Sequence, residues 1–366
     1  MEKVSVILTS YNHAKYLRQA IDSVLSQTYN NLELIIWDDY SEDNSWEIIK
    51  SYSDTRVLGY RNQAHMRGVF GINKAISDVA SGNYIAIHHS DDIWEPDKLE
   101  KQSQYLDMNQ DIGAVFSAIT AIDENGVVCE KGHHGNRCFN QMNRSRFEWL
   151  KHFFFNGNVL CHPSALIRKR CYEDCGLYND TFYQLLDFEM WVRLCAKYEI
   201  HILSEPLVKM RFRAGNANTS GDRPEVRIRT VNEYARLLNM YRKIVDSTNI
   251  FSIFPEAVSY DRGEATDSEY VLSRICLDSR GSYRHLLGIN ILSDIISDES
   301  RRKSIEVNYN FSVKDFIAIT AKYDVFGRQP MVDNNSRSRR LIAPLRRVYG
   351  LLRRMRWLIK VRESTR

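Results

Sequence analysis

The sequence predicts an α/β protein: a Rossmann-like, mainly parallel, doubly wound sheet flanked by helices, with a C-terminal helical extension. Three observations lead there. Short runs of branched apolar residues, VSVIL at 4–8, LELIIW at 32–37 and YIAIHH at 84–89, read as strands, the first two buried on both faces. Between them apolar residues recur at helical spacing. After about residue 215 the helical pattern continues alone.

The first strand is followed by Leu17, Ala20, Ile21, Val24 and Leu25 in helical phase, and 32–37 completes a strand–helix–strand unit. The turn-like Ser41, Glu42 and Asp43 precede a second helix from about Asn44. A helix around 69–80, the turn Ser81-Gly82-Asn83 and the strand 84–89 repeat the scheme. Such alternation makes a parallel sheet, whose ligands bind beyond the carboxyl ends of the strands. The loop AGNANTSGDRPE then leads to helices at 225–246, with Val231, Tyr234, Leu237, Leu238 and Tyr241 in phase, and at 284–297. The chain divides into a catalytic or binding domain (1–215), a helical extension (216–330) and, after the polar DNNSRSRR, a basic tail (331–366).

Composition narrows the classes. With 366 residues, 43% hydrophobic and 26% charged, the chain is neither disordered nor fibrous. No window of eighteen apolar residues predicts a membrane span, and MEKVSVILTSYN reads as a strand rather than a signal peptide. The 7 cysteines are odd in number and lack a C-x-x-C pair, which predicts reduced thiols, no zinc site and a cytoplasmic location. The net charge of +4 conceals an asymmetry, because 337–362 carries ten Arg or Lys and no acid, leaving a mildly acidic body.

Two acidic pairs end consecutive predicted strands: Asp38-Asp39 and Asp91-Asp92. Strand-to-helix loops favour Asp for turns and caps, which explains one pair as well as function does. Two pairs at matched positions point to a divalent cation, since crowded carboxylates repel unless neutralised. His88 and His89 stand close by, but adjacent strand residues point to opposite faces, so oxygen ligands are expected.

The opening VSVILTSYNHAKYLRQAIDSVLSQTYNNLELIIWDDYSEDNS resembles the inverting family 2 glycosyltransferases of GT-A fold. The resemblance continues through GINKAISDVASGNYIAIHHSDDIWEPDKL, CHPSALIRKRCYEDCGLYND and LLDFEMWVRL, covering residues 3–215 and leaving 216–366 uncovered. It implies that Thr9 and Tyr11 hold the base and ribose, and that Asp39 accepts the uracil imide proton of a UDP-sugar. It assigns Asp92 to a Mn2+ or Mg2+ bridging the diphosphate, with Asp91 near ribose and metal. Asp187 matches the general base, with Glu189 as competitor, and Trp191 and Arg193 read as helix support. Four positions depart from the family pattern: His89 for a common Asp, Tyr40 for Gly, Ile72 for Arg and Leu186 for Glu.

His162, in Cys161-His162-Pro163-Ser164, matches an acceptor-side segment and equally suits a buried, hydrogen-bonded histidine. Lys209, Arg211 and Arg213 alternate on a strand-like run, facing either phosphates or solvent. In the tail, Leu341, Leu345, Val348, Leu352, Met355 and Ile359 form one stripe beside Arg346, Arg347, Arg353 and Arg354, with Trp357 near its end. That pattern predicts a helix on an anionic membrane surface, against docking on the acidic body, and no nucleic-acid partner is expected. The resemblance implies transfer of a hexose, glucose or galactose, from a UDP-sugar to a lipid-diphosphate-linked GlcNAc-type acceptor, giving a β-linkage in O-antigen or another surface polysaccharide. The alternative is a catalytically silent nucleotide-binding module recruited by the tail.

Overall fold

The branched runs do form the centre of the molecule. A computed structural model describes residues 2–327; the tail residues Arg346, Arg347, Arg353, Arg354 and Trp357 lie outside them. Eight strands, β1 (Val4–Ser10), β2 (Leu32–Asp38), β3 (Val57–Arg61), β4 (Tyr84–His89), β5 (Ile93–Trp94), β6 (Ile112–Ile122), β7 (Leu166–Arg168) and β8 (Glu199–Arg211), make one sheet in the order β3-β2-β1-β4-β7-β6-β8-β5. β3, β2, β1 and β4 are parallel, and so are β6 and β8. β7 runs antiparallel to both of its neighbours, as β5 does to β8, so the sheet is mixed. Pairing register places Thr9 opposite both Trp37 and His89, and Ser10 opposite Asp38. The carboxyl ends of β1, β2 and β4 are therefore level, and both acidic pairs emerge at one edge.

Alternation along the strands feeds two cores. Val6, Leu8, Leu34 and Ile36 pack with Leu17, Ile21 and Val24 of the helix Ala14–Leu25 on one face. Ile7, Ile35, Ile85 and Ile87 face the other, packing with Trp149, Phe153 and Phe154 of the helix Arg146–Asn156 and with Phe188 and Trp191 of the helix Leu186–Lys197. A fully buried side chain of this size contributes about 1.5–3 kcal/mol. The expected helix at 69–80 begins as Gly68–Lys74 and finishes as a wider turn, Ala75–Val79.

The extension shares the second core. Leu237 and Leu238 of the helix Pro224–Asn239, Leu272 of Ser268–Asp278, and Ile291 and Leu292 of Ser282–Ser297 are buried in it. The last two helices approach closely at Gly288, where a Cβ would stand 2.9 Å from Ser273 O. The expected helix at 225–246 stops at Asn239, and Val231 is exposed rather than packed with Tyr234 and Leu237. Tyr241 Oη donates to Leu150 O at 2.7 Å, tying the following short turn to the sheet-side helix.

Two buried charges stand out. Lys98, at the start of the helix Lys98–Met108, is fully buried with its Nζ 2.8 Å from Gln102 Oε1 and 4.0 Å from the Trp94 ring centre. Burial lowers its pKa to about 7. Glu233, 4% exposed on the helix Pro224–Asn239, accepts hydrogen bonds of 2.9 Å from the amides of Tyr183, Gln184 and Leu185. Those amides lie just before the helix Leu186–Lys197, and no cation pairs with Glu233 among the described residues.

Between pH 7 and 10 the folded chain holds fewer protons at Lys98 than the unfolded chain, so stability rises with pH there. Lys98→Met should stabilise the fold at pH 7 by on the order of 1–4 kcal/mol and flatten that rise, read by thermal unfolding. Glu233→Gln removes one acceptor from three part-buried amides, a loss of about 1–3 kcal/mol. Hydrogen exchange should speed up in peptides spanning 178–190 and stay unchanged in β1 and β4.

Candidate active site

A cleft of about 670 Å³ opens at the sheet edge where β1, β2 and β4 end. Thr9, Tyr11, Asp39, Asp91, Asp187 and Arg213 all line it, although they are drawn from five separate segments of the chain. The loops after β1 and β2 are tied together. Asn12 Oδ1 accepts from Glu42 N at 2.8 Å, Ser41 Oγ accepts from Asn12 N at 3.0 Å, and Asp43 Oδ2 accepts from Ala14 N at 2.9 Å.

The two members of the first acidic pair have different roles. Asp38 Oδ2 accepts from Ser41 N at 3.0 Å and lies 3.2 Å from Arg61 Nε, so this residue shapes the turn. Asp39 turns into the cleft, its Oδ1 accepting 2.7 Å hydrogen bonds from Asn62 Nδ2 and Met66 N. Asn62 is held in turn by Trp37 Nε1 at 2.8 Å, and the Trp37 ring occupies the space above Gly71, where a Cβ would meet it at 2.7 Å. Asp39 Oδ2 has no hydrogen bond, although His65 Nδ1 stands 2.9 Å away. Tyr11 packs at a tilt against the His65 ring, centres 4.2 Å apart, and remains 41% exposed, an aromatic wall beside that oxygen. Tyr40 adopts φ +65, the left-handed backbone that the family's common Gly takes without strain.

The second pair is buried as well, Asp91 at 8% exposure and Asp92 at 2%. Asp92 Oδ1 accepts from Arg211 N at 2.7 Å, while Oδ2 has no hydrogen bond and lies 3.5 Å from His89 Nδ1. Burial, with the neighbouring Asp91 charge, raises the Asp92 pKa. Asp91 Oδ2 lies 3.4 Å from Arg213 Nε. Two adjacent acids, an orphaned buried oxygen and a nearby imidazole form a donor set that suits a divalent cation. One donor atom from each of His89, Asp91 and Asp92 falls within 4.8 Å of the others. A nitrogen donor thus stands beside the expected oxygen donors. His88 points the other way, fully buried against Trp94 with ring centres 4.4 Å apart, and His89 points into the cleft.

Asp187 sits in the first turn of the helix Leu186–Lys197, behind the segment clamped by Glu233. Its Oδ2 accepts from Asn158 Nδ2 at 2.9 Å and its Oδ1 from Phe188 N at 2.8 Å. Burial raises its pKa, which makes it a stronger base than an exposed carboxylate. Glu189, its competitor, is buried away from the cleft and paired with Arg193, Nη2 to Oε2 at 2.7 Å. Arg193 also donates to the carbonyls of Gly176 and Leu177, so this pair supports the helix.

His162 lines the cleft and is also a buried, hydrogen-bonded histidine, its Nε2 2.9 Å from Tyr178 Oη. Burial holds its pKa well below the usual value, which favours the neutral ring. The expectation for the three basic residues near β8 separates. Lys209 pairs with Glu95 at 2.9 Å. Arg211 is 2% exposed, does not line the cleft and directs four of its five guanidinium N–H groups to the carbonyls of Asp91, Asp123 and Glu124 and to Gln19 Oε1, so it is an interior support, which corrects the phosphate-side reading. Arg213 does reach the cleft, donating from Nη1 to His13 Nε2 at 2.8 Å.

Two further cleft residues carry no motif signal. His13 bridges Arg213 and Ser90 Oγ, the latter at 2.7 Å. Arg67 lines the cleft with φ +71, a backbone that costs a non-glycine residue about 1–3 kcal/mol. Ile72, where the family pattern has Arg, packs into the core.

Residues 5–174 match the family model described as glycosyl transferase family 2. An uncharacterized glycosyltransferase of Methanocaldococcus jannaschii is 32% identical over 214 residues, 57% of this chain and 70% of that protein. The Escherichia coli protein WfaP, a UDP-Glc:alpha-D-GlcNAc-diphosphoundecaprenol beta-1,3-glucosyltransferase, is 37% identical over 107 residues, 29% of this chain and 42% of its own length. Among solved structures, S. aureus TarS 1–349 in complex with UDP is similar with a TM-score of 0.51 and 14% identity, covering 88% of this chain and 91% of that one, a likeness of fold. With the GT-A-like sheet, its level acidic edge and these relatives together, the chain belongs to glycosyl transferase family 2.

Proposed function

We propose that this glycosyltransferase is an inverting, metal-dependent hexosyltransferase that moves glucose or galactose from a UDP-sugar to a lipid-diphosphate-linked GlcNAc-type acceptor. One observation carries the reading: a single cleft brings Asp39, Asp91 and Asp187 together from distant parts of the chain. The activity of WfaP, with UDP-glucose as donor and a β-1,3 linkage as product, supports the donor and acceptor classes.

The uracil would stack by Tyr11, with its imide proton on the open Oδ2 of Asp39, and Thr9 would face the ribose. A divalent cation held by Asp91 and Asp92 supplies, when bound, a Lewis acid for the diphosphate leaving group. Asp187, fixed by Asn158 and the Phe188 amide, takes the acceptor hydroxyl's proton as its oxygen attacks the anomeric carbon. The bond to UDP breaks as the new one forms, so an α-linked donor yields a β-linked product. Asp187 lies outside residues 5–174, and its role is drawn from its position. The basic composition of 337–362 supports a peripheral seat on an anionic membrane, where a lipid-anchored acceptor resides.

The purified chain with Mn2+, UDP-glucose or UDP-galactose and a synthetic GlcNAc-diphosphate-lipid should give a product one hexose heavier by mass. Asp187→Asn should lower the turnover number by about 10²–10⁴-fold with little change in the KM for donor. Near-full activity in that variant would remove Asp187 from the role. The base works ionised and its pKa is raised, so activity should fall with acidity at a midpoint above about pH 4, where an exposed Asp titrates. Deleting 331–366 should reduce sedimentation with anionic vesicles, and moderate salt should do the same to the full chain.

A further inference from the structure

We propose that His89 Nδ1 is a third protein ligand to the active-site cation and biases the site towards Mn2+ over Mg2+. This rests on the reading of Asp91 and Asp92 as metal ligands, and extends it to a residue at which the chain departs from the family's carboxylate. Strand alternation at the end of β4 aims His89 into the cleft and His88 into the core. His89 Nδ1 then faces Asp92 Oδ2 at 3.5 Å, and that oxygen is buried with no hydrogen bond of its own. Two ligands about 2.1 Å from one cation at a right angle stand roughly 3 Å apart, so a small rotation of the imidazole brings both onto the same ion.

The other ring nitrogen is already engaged. His89 Nε2 lies 3.4 Å from His162 Nδ1, His162 Nε2 lies 2.9 Å from Tyr178 Oη, and Tyr178 Oη lies 3.2 Å from Tyr172 Oη. All three supporting side chains are buried. With Nδ1 on a cation, Nε2–H donates to His162, which donates on to Tyr178. A metal-bound imidazole characteristically has its outer N–H anchored in this way, which fixes both tautomer and ring orientation. His162 is then a positioning residue, which accounts for a buried histidine at the cleft wall. One imidazole with two carboxylates also suits Mn2+ better than Mg2+, which prefers oxygen throughout.

Pulsed electron paramagnetic resonance of the full chain with Mn2+ and UDP tests this without need of turnover. Wild type should show the nitrogen coupling of one directly bound imidazole. His89→Ala and His89→Asp should each lose that coupling and keep bound Mn2+. His89→Asp should also shift the ratio of Mg2+ to Mn2+ affinity about ten-fold towards Mg2+, and His162→Phe should weaken Mn2+ binding by about ten-fold. Bound Mn2+ with no nitrogen coupling in wild type would overturn this inference and leave the metal site standing. No bound Mn2+ in wild type would overturn the metal-dependent reading beneath it, with the His89–Asp92 contact then serving as a plain ion pair.

Discussion

The register that sets Thr9 level with Trp37 and His89 is the constraint on which the rest of the site depends. It delivers four carboxylates to one edge of the sheet, and each must be stabilised against its neighbours. Asp38 is matched by Arg61 and the Ser41 amide, and Asp39 by Asn62 and the Met66 amide. Asp91 has Arg213, and Asp92 has the Arg211 amide. What remains over, the Oδ2 atoms of Asp39 and Asp92, each without a hydrogen bond and with only a histidine nitrogen nearby, is where a ligand gains most by binding. Arg211 is central here, because its backbone holds Asp92 while its buried guanidinium bonds to the Asp91 carbonyl and to the loop at 123–124.

The helical extension belongs to the same mechanical unit. Its apolar residues complete the core beneath Phe153 and Trp191, and Glu233 fixes the stretch of chain that leads into the Asp187 helix. A carboxylate at the start of a helix satisfies amides that would otherwise be orphaned, and complements the helix dipole. Asp187 is thus set from two sides: Asn158 grips its side chain, and Glu233 grips the backbone before it.

Much of this was readable from residues alone, for a physical reason. Strands buried on both faces leave continuous branched runs, and loops that carry ligands leave Asp at their ends, so β1, β2, β4 and both acidic pairs declared themselves. Contacts between remote segments leave no such trace. Nothing near position 233 signals a partner at 183, and nothing near 211 signals Gln19. The alternation of Lys209, Arg211 and Arg213 was real as a pattern, yet one ends in a surface ion pair, one in the interior and one in the cleft. His89 was hidden by strand alternation itself: adjacent residues do face opposite ways, and that excludes one of two histidines rather than both. The antiparallel β7 was also invisible, since three residues are too few to show a period.

We propose that the Oδ2 atoms of Asp39 and Asp92 belong to one nucleotide–metal site. Calorimetric titration of UDP into the full chain, with Mn2+ and again with chelator, tests it most directly. UDP should bind measurably with Mn2+ and at least about ten-fold more weakly on chelation, and cytidine diphosphate, lacking the imide proton, should fail to match it. Equal UDP affinity with and without metal, or equal affinity for the two nucleotides, would contradict it.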